Sequence, residues 1–264
     1  GSSVKRMFTS DRCGSKVLCG TVGPVPASSL PMKAGVSYWA VIPAAGMGIR
    51  MGIDKPKQYL GIQGIAILEH TLKAFCTNER IRGVVVVLAE DDGNWTTLAI
   101  RDNQKIITTT GGSERSRSVR NGLDALKDLA SPDDWILVHD AARPCLRRED
   151  LEKLMDTLSG HPSGGILAVP AGDTMKRAQG REIHETISRD DLWHALTPQM
   201  FRYAVLKKAL DHVIENSITV TDDAQAVELI GIKPALVEGH GDNIKITYQS
   251  DLTLAEFYMS KQGN

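Results

Sequence analysis

The sequence predicts an α/β protein in which one mostly parallel sheet is flanked by helices. From Tyr38 onward, short apolar segments alternate with amphipathic ones, which is the pattern of repeated strand–helix–strand units. The 264 residues exceed one average domain but can still form a single α/β core. Hydrophobic residues make up 42% of the chain and charged residues 24%, as in folded proteins. We therefore expect one Rossmann-like domain over residues 37–264, preceded by a distinct lead over residues 1–36.

The lead differs from the rest of the chain in composition. It has an excess of basic over acidic residues, several Ser and Gly residues and no sustained periodicity, which predicts disorder. Gly1-Ser2 is typical of a protease-cleavage remnant at an engineered end, and Met32 of a natural start. A basic, Ser-rich and acid-poor segment also resembles an organelle transit peptide. Neither interpretation assigns chemistry to the lead.

Short apolar runs predict the strands of the sheet. Each has the length of an ordinary strand and is followed by small or polar residues. The predicted strands are Tyr38–Pro43, Gly83–Ala89, Lys105–Thr109, Trp135–His139 and Gly165–Val169, with a late strand near Asn243–Thr247.

Apolar residues spaced three and four apart predict the helices. In Arg115–Leu129, for example, Val119, Leu123 and Leu126 fall on one face, which we expect to pack on the sheet. Similar stripes predict helices over Ile67–Phe75, Leu151–Leu158, Phe201–Ile214 and Asp222–Leu229, a return to helix from Leu192 and a closing helix from Ser250.

Residues 171–189 interrupt this alternation. The stretch is polar, contains Gly172 and Gly180, and has no helical stripe. It is too long for a simple connection in a compact domain. We expect a protruding β-arm that reaches into a second subunit and forms a homodimer, and a mobile surface loop is the alternative.

Charge and cysteine content exclude several classes of protein. The 31 basic and 32 acidic residues nearly cancel, so no overall field attracts nucleic acid or an anionic membrane. No apolar run approaches the roughly 20 residues of a membrane span, which predicts a soluble protein. The four cysteines lack the spacing of a zinc site, and we expect Cys76 and Cys145 to be packing residues in a reducing compartment.

The loop after the first strand is the first candidate for a binding site. It has the sequence Pro43-Ala44-Ala45-Gly46-Met47-Gly48-Ile49-Arg50, in which small residues let the backbone approach a ligand and cradle phosphate. The loop is neither G-x-G-x-x-G nor G-K-[ST], which disfavours a Rossmann dinucleotide site and a Walker loop. Taken alone, it also fits a plain tight turn.

A basic segment follows this loop. Pro56 removes one backbone donor and biases Lys55 away from helix, so we expect Lys57 in an extended geometry aimed at the loop. Arg50 and Lys57 would then clamp one polyphosphate. The alternative is that both are solvated surface charges.

Five segments in order resemble a known family. The run from Pro43 through Met51, followed by Pro56-Lys57-Gln58-Tyr59, is similar to the signature of sugar-phosphate nucleotidyltransferases and, within them, of the 2-C-methyl-D-erythritol 4-phosphate cytidylyltransferase family. The resemblance runs from about Trp39 to Tyr258. Four later segments also match: Gly111–Val119, Val138–Pro144, Leu192–Gln199 and Asp242–Thr247.

The resemblance implies a reaction and its partners. A cytidylyltransferase of this family transfers CMP from CTP to 2-C-methyl-D-erythritol 4-phosphate and releases pyrophosphate, in the non-mevalonate route to isoprenoid precursors. The nucleophile is already an anion, so no catalytic triad is needed and neither His139 nor His194 receives a role. The charges of CTP require Mg²⁺. The bacterial cytoplasm is the expected location, with a plastid as the alternative.

The resemblance also implies roles for individual residues. Arg50 and Lys57 are the catalytic candidates, which stabilise the pentavalent phosphate and the departing pyrophosphate. Asp140 is the candidate magnesium ligand, unless it only shapes the turn by pairing with Arg143. The implied nucleotide-binding residues are Ala44, Ala45, Gly46, Gly111, Gly112, Ser118, Asp140, Ala141 and Arg143. The implied acceptor-binding residues are Thr174, Arg189, Thr197, Thr221, Asp242 and Lys245.

The sequence departs from the family pattern at two positions. Ile49 stands where the family often has a second basic residue, and Ser113 where Asp is common beside the cytosine.

Other functions are compatible with parts of this sequence. A cytidylyltransferase acting on ribitol 5-phosphate would share the nucleotide half of the site. A sugar-nucleotide-binding protein without turnover and an NAD-dependent oxidoreductase are rivals of other classes. If the β-arm crosses to another subunit, Thr174 and Arg189 come from the neighbouring chain.

Overall fold

The computed structural model describes residues 35–46 and 56–262. The strands are β1 (Tyr38–Pro43), β2 (Gly61–Ile62), β3 (Ile65–Ala66), β4 (Ile81–Leu88), β5 (Ile106–Thr110), β6 (Trp135–Val138), β7 (Gly164–Pro170), β8 (Met175–Gln179), β9 (Glu182–Ile187), β10 (Trp193–Arg202) and β11 (Ala235–Glu238). The helices are α1 (Ile67–Cys76), α2 (Arg115–Asp124), α3 (Arg148–Leu158), α4 (Tyr203–Glu215), α5 (Asp223–Leu229) and α6 (Gln249–Gln262). Short 3-10 turns lie at Lys57–Tyr59, Trp95–Thr97 and Ala99–Asp102.

Among the described residues, seven strands form one sheet in the order β11-β7-β10-β6-β1-β4-β5. The pairs β1–β4, β1–β6, β4–β5 and β7–β11 are parallel. Only β10 runs antiparallel to its neighbours in this sheet, β6 and β7. The sheet is therefore mostly parallel, which confirms the predicted fold class.

Helices cover both faces of the sheet. One apolar cluster includes Leu72 of α1 and Leu154 of α3, and another includes Leu123 of α2 and Leu210 of α4. The strands between them are buried on both faces, which explains why β4 is an unbroken apolar run over Val84–Leu88. The closing helix α6 packs beside β2 through a third cluster.

The prediction of helix from Leu192 was wrong, because Trp193–Arg202 forms β10 and the helix begins only at Tyr203. The strand lies between β6 and β7, so residues 196–201 are all buried. His194, Thr197 and Gln199 interrupt its apolar residues, so the segment shows neither the continuous apolar run nor the regular alternation that indicates a strand. Pro198 is accommodated because the pairing with β7 shifts register between Ala195 and Gln199.

The predicted strand near Asn243–Thr247 was also wrong. The last strand of the sheet is β11 at Ala235–Glu238, which pairs with β7. Residues 243–247 instead form no strand and join no ladder of the sheet. The Asn243 side-chain amide donates to the Thr197 carbonyl at 2.7 Å, and the Ile246 N–H donates to the Ala142 carbonyl at 2.9 Å.

Residues 171–189 contain the antiparallel hairpin β8–β9, which confirms the expected β-structure of this excursion. Gly180 lies in its turn at φ +62°, a conformation that favours glycine. Ile183 is 66% exposed, a high value for so apolar a side chain. The role of the hairpin in dimerisation stays a prediction.

The end of α2 differs from its predicted position, whereas the two described cysteines are buried as predicted. Helix α2 ends at Asp124, five residues before the predicted end, and residues 125–129 continue as turns. Cys76 and Cys145 are free and buried, as expected of packing residues, and burial raises the pKa of their thiols to about 11 and about 12. Within the described residues, no helix has the length and apolar character needed to cross a membrane.

Candidate active site

A cavity of about 240 Å³ lies where β1, β5 and β6 end. The carboxyl edge of an open parallel sheet is the usual ligand site of α/β proteins, because the loops that follow the strands meet there. Among the described residues, four chain segments and Lys245 line the cavity. The lining residues are Pro43, Ala44, Ala45, Gly46, Lys57, Gln58, Gly112, Ser113, Glu114, Arg115, Ser118, Asp140, Ala141, Ala142 and Lys245.

The loop after β1 enters the cavity as predicted. The Ala44 N–H donates to the Val87 carbonyl at 2.8 Å, which continues the parallel ladder one residue beyond β1. Gln58, which is 4% exposed, donates its side-chain amide to the carbonyls of Ala44 (2.7 Å) and Gly46 (3.2 Å). Gln58 therefore fixes this loop, a role that sequence reasoning missed. Arg50 and Ile49 lie outside the described residues.

Lys57 lines the cavity, but the expectation of an extended Lys57 was wrong. It is the first residue of the 3-10 turn Lys57–Tyr59. Pro56 precedes the turn with extended backbone at φ −57° and ψ 134°, and its carbonyl accepts from the Tyr59 N–H at 2.9 Å. Proline is as suited to the start of a helical turn as to extended chain, so its presence did not decide between them.

The two glycines after β5 bring a second loop against the first. A Cβ on Gly111 would lie 2.6 Å from the Ala45 Cβ and 2.8 Å from the Ser118 Oγ, so only glycine fits there without movement. The Gly112 N–H donates to Ser118 Oγ at 3.1 Å. Gly112 and Ser118 thus reach the cavity, with Ser118 also holding the glycine turn at the start of α2.

Asp140, which follows β6, is the centre of a cluster of positive charge. Its Oδ1 accepts from Arg115 Nε at 3.3 Å, and its Oδ2 accepts from Arg143 Nε at 3.2 Å. The Lys245 ammonium is 3.1 Å from the same Oδ2. The ion pair with Arg143 that the alternative interpretation requires is therefore present, but Asp140 also joins two further cations and faces the cavity.

These cations determine the charge of Asp140. Burial alone would raise its pKa, but the nearby charges of Arg115, Lys245 and Arg143 hold the pKa of Asp140 well below its ordinary value. The carboxylate is therefore ionised at neutral pH. It draws the basic groups from three separate segments toward one point.

Arg115 is a site residue that sequence reasoning did not assign. It lines the cavity and donates from Nη1 to Asp223 Oδ2 at 2.9 Å, besides its bond to Asp140. Asp223 is 1% exposed at the first turn of α5. One signal was available in the sequence, because an arginine at the first position of a helix opposes the helix dipole and requires compensation.

Thr197 lies beneath Asp140, and its hydroxyl forms hydrogen bonds with neighbouring protein groups. It accepts from the Asp140 N–H at 3.2 Å and lies 2.8 Å from His139 Nδ1. His139 Nε2 is 3.0 Å from the Arg143 carbonyl. Since a carbonyl only accepts, Nε2 carries the proton and Nδ1 accepts from Thr197. Thr197 is 4% exposed and does not line the cavity, whereas an acceptor contact was expected.

Burial keeps this histidine uncharged. It lowers the pKa of His139 to about 4, and the bond to the Arg143 carbonyl offsets burial only in part. His139 thus works as a neutral link that positions the Asp140–Arg143 turn. His139 does not line the cavity.

The other predicted acceptor residues are spread over the described structure. Lys245 alone of that set lines the cavity. Asp242 accepts from Arg147 Nη2 at 2.7 Å and from Gln262 at 3.0 Å, and therefore serves an ion-pair network. The remaining three side chains are exposed: Thr221 before α5, and Thr174 and Arg189 at the two ends of the hairpin.

The Asp140 carboxylate can accept one more partner. Two carboxylate oxygens offer about four acceptor positions, three of which are taken by cations here. Mg²⁺ commonly takes one or two protein carboxylates and completes its shell with phosphates and water. In the part of the chain that the structure describes, no group of three or more His, Cys, Asp and Glu could hold a metal. Asp140 could therefore supply one carboxylate ligand to Mg²⁺.

Sequence comparisons identify relatives over nearly all of the described chain. The model of the 2-C-methyl-D-erythritol 4-phosphate cytidylyltransferase family matches residues 38–261. A protein of that name from Vibrio vulnificus (strain YJ016) is 49% identical over 227 residues, which are 86% of this chain and 96% of the relative. Another from Pseudomonas savastanoi pv. phaseolicola is 50% identical over 218 residues, which are 82% of this chain and 92% of the relative.

Solved structures give the same result at lower sequence identity. A crystal structure of 4-diphosphocytidyl-2C-methyl-D-erythritol synthase matches with a TM-score of 0.75 and 36% identity, and covers 86% of this chain and 100% of that one. The crystal structure of 2-C-methyl-D-erythritol 4-phosphate cytidylyltransferase from Francisella tularensis matches with a TM-score of 0.74 and 37% identity, covering 84% of this chain and 99% of that one. Sequence and structure therefore indicate the same group of proteins.

Proposed function

Since the chain belongs to the 2-C-methyl-D-erythritol 4-phosphate cytidylyltransferase family, we propose that it transfers CMP from CTP to 2-C-methyl-D-erythritol 4-phosphate and releases pyrophosphate. The observation that carries this proposal is one cavity shared by Lys57, the glycine turn at Gly112, Asp140 and Lys245. These residues come from four of the five sequence segments that resemble the family. The product is 4-diphosphocytidyl-2-C-methyl-D-erythritol, a precursor in isoprenoid synthesis.

The reaction requires alignment of two polyanions more than proton transfer. An oxygen of the acceptor phosphate attacks the α-phosphorus of CTP, a new P–O–P link forms, and the bond from the α-phosphorus to the bridging oxygen of pyrophosphate breaks. Negative charge grows on the departing pyrophosphate and on the equatorial oxygens. Because the nucleophile is already ionised, no side chain has to remove its proton. The protein's task is to supply fixed positive charge.

We assign this positive charge to Lys57 and Arg50 on the side of the departing pyrophosphate, and to Lys245 on the side of the acceptor. Lys57 and Lys245 line the same cavity, which supports their share of the assignment. Asp140 would hold Mg²⁺, which would supply further positive charge against the triphosphate.

The nucleotide is placed by backbone groups and small side chains. We assign contacts with CTP to Ala44, Ala45 and Gly46 in one loop, and to Gly112 and Ser118 in the other. The two loops touch at Gly111 and Ala45, so the base and the triphosphate are held by one compact unit. Fixed backbone donors and acceptors can select a base without a charged side chain, so Ser113 in place of the common Asp is compatible with cytosine. Ala141 and Arg143 belong to the turn that carries Asp140.

The acceptor half includes residues that one chain does not bring to the cavity. Thr174 and Arg189 are exposed on the hairpin and absent from the lining of the described cavity. We propose that they act in the site of a second subunit, so that the enzyme is a homodimer with shared sites. We also propose a bacterial cytoplasmic location, which is supported by the Vibrio and Pseudomonas relatives.

Release of pyrophosphate tests the proposed function. The enzyme is given CTP and Mg²⁺ with either 2-C-methyl-D-erythritol 4-phosphate or ribitol 5-phosphate, and CTP is then replaced by each other nucleoside triphosphate. We expect release that depends on the first acceptor and on CTP. Release with ribitol 5-phosphate alone would favour the related cytidylyltransferase, and release with neither acceptor would favour a binding protein.

A further inference from the structure

Arg115 joins three parts of the active site. Its backbone begins α2 directly after the glycine turn, and its side chain lines the cavity. The guanidinium donates from Nε to Asp140 at 3.3 Å and from Nη1 to Asp223 at 2.9 Å. A single side chain thus links the nucleotide loop, the turn after β6 and the start of α5.

The start of α5 depends on this link and on a second one from β10. Asp222 caps the helix by accepting from the Gln225 N–H at 2.9 Å. Gln199 of β10 donates to Asp222 at 2.9 Å and accepts from the Ala224 N–H at 2.9 Å. Asp223 lies between these contacts, and it is buried with Arg115 as its cationic partner. Arg115 therefore connects the start of α5 directly to Asp140.

Two physical features separate this arrangement from an ordinary surface ion pair. First, a buried carboxylate without its cation is strongly disfavoured, so Asp223 would move or take up a proton if Arg115 were lost. Second, the planar guanidinium has donors at fixed positions and can hold two carboxylates at a defined separation, which a lysine ammonium cannot reproduce. Both features indicate that Arg115 fixes the relative positions of Asp140 and Asp223, besides contributing positive charge.

We propose that Arg115 is a positioning residue for the transfer reaction, because it fixes Asp140 and the acceptor segment before α5 relative to each other. This inference rests on the proposed function and extends it to a residue for which the family motif supplied no role. It places the Asp140–Arg115–Asp223 bridge between the nucleotide half and the acceptor half of the site.

Kinetics of two variants of α2 test the proposal. Arg115→Met removes the bridge, and we expect kcat to fall by about 10–100-fold and the KM for 2-C-methyl-D-erythritol 4-phosphate to rise about tenfold. The KM for CTP should change less than the KM for the acceptor. Compared with Arg115→Met, Arg115→Lys should recover more of the thermal unfolding midpoint than of kcat. Lysine returns the positive charge but lacks the planar guanidinium that holds two carboxylates.

Arg120→Met is the matched control. Arg120 is also on α2 and also joins two carboxylates, those of Asp124 and Asp211, but it does not line the cavity. We expect its loss to lower stability with the acceptor KM unchanged. If Arg115→Met and Arg120→Met changed the kinetics equally, Arg115 would be a structural residue of α2 and the proposal would be wrong.

Asp223→Asn keeps the test decisive if Arg115→Met does not fold. It leaves Arg115 in place and removes only the charge at α5, and we expect the acceptor KM to rise with little change in the KM for CTP. An unchanged acceptor KM would overturn the proposal. Unmodified enzyme is assayed in parallel, because absence of pyrophosphate release there would instead contradict the proposed function.

Discussion

Charge at the candidate active site is arranged around one carboxylate. Asp140 stays ionised because Arg115, Arg143 and Lys245 surround it, and two of these cations, Arg115 and Lys245, line the cavity. This arrangement suits a polyanionic ligand, which can share the same cations. Lys57 approaches from the opposite loop and belongs to a different segment of the sequence. At this scale the chemistry is electrostatic, and cations that share one carboxylate are expected to be coupled.

Lys57→Ala should lower turnover far more than apparent CTP affinity. If Lys57 stabilises charge that grows only in the transition state, its removal should reduce kcat by about 10²–10³-fold while the apparent Kd for CTP changes little. Steady-state kinetics and equilibrium binding of CTP measure the two effects. Lys208→Ala, at an exposed position of α4, is the control. A loss confined to CTP binding would make Lys57 a docking charge.

His139→Gln should weaken the dependence of stability on pH. Burial lowers the pKa of His139 to about 4, so as pH falls from about 6.5 the unfolded chain takes up the proton first. The stability that neutral His139 provides above pH 6.5 is therefore lost toward pH 4. Between pH 7 and pH 5 the unmodified protein should lose about 2 kcal/mol more unfolding free energy than the variant. Urea unfolding at both pH values measures this, and equal losses would contradict the assignment.

Secondary-structure elements differ in how clearly the sequence specifies them. The predicted strands at Tyr38–Pro43 and Gly165–Val169 are found nearly as expected, because buried parallel strands are short apolar runs bounded by loops. Strand β10 was missed, since its burial arises from neighbours distant in sequence. The hairpin was predicted as a β-arm because a polar stretch of this length is too long for a simple connection in a compact domain. Its contact with a second subunit stays a prediction.

Mixed dimers test whether the hairpin completes the site of a partner subunit. Lys57→Ala and Arg189→Ala chains are each expected to be nearly inactive. If Arg189 serves the opposite subunit, a mixed dimer contains one site with both residues intact, so an equimolar mixture should recover about one quarter of the unmodified activity. The mixture is unfolded and refolded together, and pyrophosphate release is measured. Absence of recovery, while unmodified enzyme refolds actively, would place both residues in the site of one chain.

In the molecule as a whole, motifs of consecutive residues were predictable from the sequence, whereas contacts between distant residues were not. Motifs of consecutive residues located the cavity, and Ala44 to Gly46, Gly112, Asp140 and Lys245 are found around it. The contribution of Gln58 to the loop and of Arg115 to the bridge with Asp223 could not be derived in this way. Those contacts depend on side chains that meet only after the sheet has formed. Thr197 illustrates the same limit, because its burial beneath Asp140 follows from the path of β10.

The identity of the product tests the central claim most directly. Unmodified enzyme is incubated with CTP, Mg²⁺ and 2-C-methyl-D-erythritol 4-phosphate, and the mixture is followed by phosphorus NMR and mass spectrometry. We expect pyrophosphate and 4-diphosphocytidyl-2-C-methyl-D-erythritol to appear in equal amounts, with two coupled diphosphate resonances from the new P–O–P link. Unchanged CTP and acceptor, with enzyme shown to be folded, would contradict the assignment of this chain as a cytidylyltransferase.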